Sequence, residues 1–265
     1  MKKILALMVC LLGIVSQSFA ATWVAADRVA TVGSNLLNKN GITAKYTFKV
    51  VDTAVDNSAV ATTKVVQIST ADLSYAGNDN EVAAVIANEL GHIICNHTDK
   101  AKVRAVALNK LGVDTSSTVA TLASSQLSSK EQTEADLVGV DLMIGAGYNP
   151  LAMVVLITKY PGSTADILLG RPCNADRAME VYNYLTYSYP NKVKAGYSCN
   201  EYKNFLTYAT PIVEKRNANA KSLAKFKKQQ ALNLQARKKN LAKYKVSGGL
   251  NSWGVLYDSL TNENK

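Results

Sequence analysis

The strongest chemical pattern in the chain is Asn88-Glu89-Leu90-Gly91-His92. A zinc-peptidase helix reads His-Glu-x-x-His. Positions i and i+4 share one helix face, so two imidazoles can grip one ion, and the Glu beside the first ligand can reach the metal-bound water. Glu89 occupies the general-base position and His92 the second-ligand position. An amide, Asn88, stands where the first imidazole belongs.

Few other residues could replace the missing ligand. The chain has 2 histidines, His92 and His97. On one continuous helix a separation of five residues turns them about 140° apart, so they should not share an ion. His97 reads as a helix-end or surface residue. Glu131 and Glu134 flank Gln132 on a later helical stretch, and a shift of register would bring Glu131 toward the motif. Glu89 has an ordinary alternative role, as a carboxylate paired locally with a cation such as Arg171.

The elements that must position these groups are legible from periodicity. Residues 25–40 predict a helix with Val29, Val32, Leu36 and Leu37 on one side and Gly41 as its stop. Tyr46–Val51 and Ala61–Ile68 read as strands. Gly77-Asn78-Asp79-Asn80 is a turn and N-cap cluster that opens the motif helix, which runs to about His97. Helices are expected over Ser128–Ile144, from Asn149-Pro150 through Lys159, and over residues 174–187. Residues 100–127 carry no firm assignment.

The C-terminal part differs in charge. Between Val213 and Val246 eleven Lys/Arg face a single Glu, which accounts for the whole formal excess of +10. Residues 212–246 read as one long helix with a thin apolar stripe (Leu223, Phe226, Leu234, Leu241) and a break at Gly248-Gly249. Such a face suits an anionic membrane or cell-wall surface, or it is a solvated helix docked by its few apolar residues. Nucleic acid is not expected as a partner.

The N-terminus reads as a secretory signal. Lys2 and Lys3 precede an apolar run, Ile4–Val15, and Ser18-Phe19-Ala20 suits cleavage after Ala20. The protein is therefore expected to be exported, periplasmic or secreted, and soluble after cleavage. In an oxidising compartment Cys173 and Cys199 could close a short loop, worth about 3 kcal/mol in the chain-entropy account. Cys95 reads as a buried thiol.

Three blocks together resemble peptidase family M-48, the HtpX- and BepA-like zinc endopeptidases. They are Gly77 to His92, Glu134-Ala135-Asp136-Leu137-Val138-Gly139 with Ala146-Gly147-Tyr148-Asn149-Pro150, and Pro172 with Arg177. The likeness covers roughly residues 28–190. It implies an α+β, gluzincin-like fold, mostly helical, with a small sheet beside the motif helix. Residues 1–20 would be the signal, 21–205 the peptidase-like body and 206–265 a basic helical extension. Carried over residue by residue, the likeness puts Gln132 at the third-ligand position and Arg171 where some members have a histidine. Asp136 falls at a position that orients a ligand, with Arg177 nearby.

The departures change the chemistry. One imidazole (His92) and two carboxamides (Asn88, Gln132) replace two imidazoles and a carboxylate. Amide oxygens are hard, weak donors, poorly matched to Zn²⁺. Without a metal, water keeps a pKa of about 15.7 instead of about 7, and Glu89 alone cannot generate hydroxide. Two functions remain open. One is a zinc metalloendopeptidase of envelope proteins with weak or lost activity, with Zn²⁺ as the implied cofactor. The other is a metal-free pseudopeptidase, a chaperone or adaptor that binds extended polypeptide along an edge strand.

Overall fold

The structure, a computed structural model, describes residues 25–42, 46–52, 65–95, 97 and 129–246. The signal, residues 100–127 and the Gly248-Gly249 break lie outside them. The first helix, α1, covers residues 25–39, and Val29, Val32, Leu36 and Leu37 are buried as their spacing predicts. Asn40 then donates to the carbonyls of Leu36 and Leu142, tying the end of α1 to a later helix.

Strands β1 (Thr47–Val51) and β2 (Val65–Ser69) pair in parallel, with Thr47 opposite Val65 and Val51 opposite Ser69. Alternation along β2 buries Val66 and Ile68 against the motif helix. Each such burial is worth about 1.5–3 kcal/mol. Helix α2 (Thr70–Ser74) follows directly, and Ser69 caps it by accepting the Asp72 N–H.

Helix α3 (Asp79–Ile94) carries the motif. The expected cap is present: Asn78 Oδ1 accepts the N–H groups of Asn80 and Glu81, while Glu81 reaches back to the Gly77 N–H at 2.6 Å. These reciprocal bonds satisfy donors that a helix start leaves open. Lys159 closes the cap by pairing with Glu81 at 2.7 Å.

Helix α4 (Ser129–Gly145) lies along α3 at close range. Two motif glycines make this possible. A methyl group on Gly91 would run into the Ala135 carbonyl, and one on Gly139 would meet the Ala87 backbone at 2.9 Å. Because α3 and α4 are buried on nearly all sides, neither needs a polar face.

Helix α5 (Leu151–Lys159) is the centre of the core, with all residues from Leu151 to Ile157 buried. A short helix, α6 (Thr164–Leu168), was not foreseen from the sequence. Helix α7 (Ala175–Ser188) packs on α5, and α8 (Pro190–Ala195) follows. The gluzincin-like, mostly helical architecture with a small sheet beside the motif helix stands as expected.

The basic extension departs from expectation. It is two helices, α9 (Asn200–Ala218) and α10 (Ala220–Val246). They break at Asn219, whose side chain turns back to cap the next helix through the Ser222 N–H. Pro211 lies inside α9 rather than before a helix start. The docking face of α10 is also more polar than the apolar stripe suggested. Phe226 meets Arg216 and Tyr187, while Gln230 and Arg237 are buried at 3% exposure each. Arg237 pairs with buried Asp141 and lies 4.1 Å above the Tyr184 ring. Among the described residues, no helix is long and apolar enough to cross a membrane.

Candidate functional site

The α3–α4 contact brings the motif residues together, and the C-terminal end of α5 and helix α7 close over them. Asp136 on α4 is fully buried and accepts three hydrogen bonds. Arg177 of α7 grips it through Nε at 2.6 Å and a terminal nitrogen at 2.8 Å; Asn88 Nδ2 donates to the same carboxylate at 2.7 Å. A carboxylate paired with Arg only accepts, so the Asn88 amide must present its nitrogen to Asp136. Asn88 thus fills the place of an imidazole N–H, and only its Oδ1 is left for any ion.

Glu89 is half-buried beside this cluster. Burial, then the Asp72 carboxylate, push its pKa well above the usual range; Arg177 pulls the other way and Asp136 adds to the rise. The cation acting on Glu89 is therefore Arg177. Arg171 is instead held by Asp166 at 2.7 Å and by Asp176 at 3.1 Å, which removes the expected local pair with Glu89. Arg171 nevertheless lines a cleft of about 290 Å³ with Gln132 and Arg177, so it borders the site without entering it.

His92 is buried at 5% exposure. Desolvation, first, and the neighbouring His97 ring lower its pKa to about 3, while the Gln132 side chain and Glu131 act in the opposite sense. The ring is neutral at any physiological pH. Gln132 lies against it, with a buried Oε1 that has no hydrogen bond of ordinary geometry.

His97 corrects the helical-wheel argument. Helix α3 ends at Ile94 and Cys95 caps it, so the chain leaves the helix before His97. The second imidazole swings under the first: the two Nδ1 atoms are 2.9 Å apart and the rings meet edge to face. His97 is fully buried, not a surface residue, and its Nε2 lies 3.3 Å from Glu134 Oε2. Glu131 is buried and acts on His92 without any register shift.

Cys173 and Cys199 are unbridged thiols, so the expected disulfide is not formed. Cys199 Sγ instead accepts the Tyr202 N–H at the start of α9. Sequence reading also missed Asp72 and Tyr160. The Tyr160 hydroxyl is raised well above its ordinary pKa by burial and by Asp72, Glu89 and Asp136, against Arg177. It belongs to the same charged cluster. Its place, one residue beyond α5, carries no local signal.

The donor set does not fit a zinc ion at the motif position. Asn88 has turned its nitrogen to Asp136, Gln132 supplies a neutral carbonyl, and only His92 is a strong donor. No carboxylate remains among these three to offset a dication. The arrangement keeps the shape of a hydrolytic site, with Glu89, the buried Asp136–Arg177 pair and a bordering cleft, but without its ligands.

A short parallel sheet against a motif helix, a second helix crossing it at glycine contacts and a carboxylate-oriented ligand position together define a metallopeptidase-type fold. The family model for peptidase family M48 matches residues 24–224, and the chain belongs to that family of zinc metallopeptidases. The match runs through α9 into the start of α10. The chain is also 29% identical over 122 residues to metalloprotease LoiP of Escherichia coli (strain K12), a match covering 39% of this chain and 48% of that protein. It thus spans about half the length of that curated relative.

Proposed function

We propose that this protein is an exported, catalytically silenced member of the M48 family that holds extended polypeptide without cutting it. The observation that carries this reading is the donor set at the ligand positions. Asn88 gives its nitrogen to Asp136 and Gln132 lies against His92, so these positions offer one imidazole and two neutral amide oxygens to an ion. Loss of the ligands removes the Lewis acid, whereas the fold and the sheet are retained. Among the described residues β1 pairs with β2 on one side only, leaving backbone groups for strand addition by a client. The exposed lysines of α10, Lys221, Lys225, Lys227 and Lys228, would hold the protein near an anionic membrane or cell-wall surface.

Retention of Glu89 near Arg177 and Asp136 favours a second reading, weak hydrolysis through an atypical metal site. One experiment separates them. Reduced, alkylated casein is titrated against the mature protein by fluorescence anisotropy, and its cleavage is followed in parallel for wild type and Glu89→Gln with added Zn²⁺. Saturable binding with no Glu89-dependent cleavage is expected. Cleavage lost in Glu89→Gln supports the second reading instead.

A further inference from the structure

The buried group beneath His92 takes no part in the reading above. We propose that Cys95, His97 and Glu134 form a three-ligand site for a zinc-class ion, one step deeper than the motif position, with thiolate, imidazole Nε2 and carboxylate as ligands.

The geometry comes first. One ligand atom from each of the three residues lies within 4.8 Å of the others; Cys95 and His97 are buried and Glu134 is partly so. The His97 Nε2 to Glu134 Oε2 distance is 3.3 Å. That is long for a charge-assisted hydrogen bond, which favours about 2.7–2.9 Å. It suits two ligands of one tetrahedral ion: with metal–nitrogen and metal–oxygen bonds of about 2.0–2.1 Å, their separation is about 3.3 Å.

The hydrogen bonds around the site agree with this assignment. A metal on Nε2 fixes the His97 proton on Nδ1, and ligating histidines characteristically donate that second N–H to a neighbour. Here the neighbour is His92 Nδ1 at 2.9 Å. His92 must then carry its own proton on Nε2. One ion thus settles the tautomers of two buried imidazoles.

Charge balance also permits it. Thiolate and carboxylate neutralise a dication. Arg237 is close enough to act on both Cys95 and Glu134, which favours the thiolate, and its own charge is met by Asp141. A thiolate donor selects zinc-class ions over Ca²⁺ and Mg²⁺. Cys95 at the end of α3 and His97 just beyond it face Glu134 of α4, so the ion would fasten these segments together, with water in a fourth position. The inference does not need the silenced-peptidase reading, whose test is cleavage.

Cobalt provides the test. Co²⁺ alone is titrated into the mature, full-length Cys173→Ser/Cys199→Ser variant, in which Cys95 is the sole thiol of residues 21–265. A thiolate-to-cobalt charge-transfer band at one equivalent, bleached by Zn²⁺, is expected. The band should persist in Asn88→Ala, and half-saturation in Glu134→Gln should require at least about tenfold more Co²⁺. Absence of the band in the sole-thiol variant overturns the site, and this outcome does not depend on whether Cys95→Ser folds. Cobalt bound with oxygen and nitrogen ligands only, or a band lost in Asn88→Ala, overturns it as well.

Discussion

Asn88 Nδ2 lies 2.7 Å from Asp136 Oδ1, the kind of bond by which a carboxylate orients the second N–H of a ligating imidazole. The substitution therefore preserves the hydrogen bond that orients the ligand while removing the ligand. It follows that restoring the chemistry needs changes only at the ligand positions. In a Cys95→Ser background, Asn88→His with Gln132→Glu should bind one equivalent of Zn²⁺ that the background alone does not bind. Isothermal titration calorimetry checks this; no gain in binding would mean that Gln132 is not the third position.

Glu89 illustrates the stability cost of retaining a desolvated carboxyl. Its folded pKa is raised, chiefly by burial and Asp72, so the folded state holds its proton more tightly than the unfolded chain. That contribution is present below the ordinary value, about 4.5, and is lost as pH rises through the folded pKa. Glu89→Gln should therefore be more stable than wild type at pH 7 and no more stable at pH 4. Each kcal/mol relieved raises Tm by about 2–4 °C. Calorimetric melts at the two pH values decide the point.

His92 has the opposite linkage. Its folded pKa, about 3, lies below the ordinary 6.5, so only the unfolded chain takes up a proton between them. Stability should fall as pH drops from about 6.5 toward 3. Chemical denaturation at pH 7 and pH 5, in chelator, should show the loss in wild type. His92→Asn should have a shallower pH slope.

Much of this site could be read in advance because its signals are local. Asn88, Glu89 and His92 follow from the helix motif, the Asn78 cap from its residue types, and Gln132, Asp136 and Arg177 from the resemblance to the M48 family. What escaped depended on where a helix stops. His97 was placed on a continued α3, and a helix ending at Ile94 put it under His92 instead. Tyr160 and Asp72 reach Glu89 only through the tertiary packing of α5 and α2. The α10 anchor was missed for another reason: a buried Arg237 reads as one more solvated charge until Asp141 is seen opposite it.

Gly91 tests the packing that places the site. A side chain there meets the Ala135 backbone, which cannot rotate away. Gly91→Ala should destabilise by about 1–3 kcal/mol through forced separation of α3 from α4. Urea denaturation measures this. An unchanged midpoint would show that the helices have room to part.

The Arg237–Asp141 pair should anchor the basic helix. Removing one partner leaves a buried charge, a loss of about 3–5 kcal/mol. Asp141→Asn should therefore lower stability strongly and expose α10 to limited proteolysis. Arg237→Met with Asp141→Leu should restore much of the loss. Rapid tryptic cleavage within α10 of the single variant, monitored by mass spectrometry, is the expected readout.

The most direct measurement is cleavage of a quenched fluorescent casein by the mature protein with Zn²⁺ in excess, wild type beside Glu89→Gln. Two indistinguishable rates at background are expected, because one imidazole and two amides do not hold a hydrolytic zinc. A wild-type rate that Glu89→Gln abolishes would contradict the account.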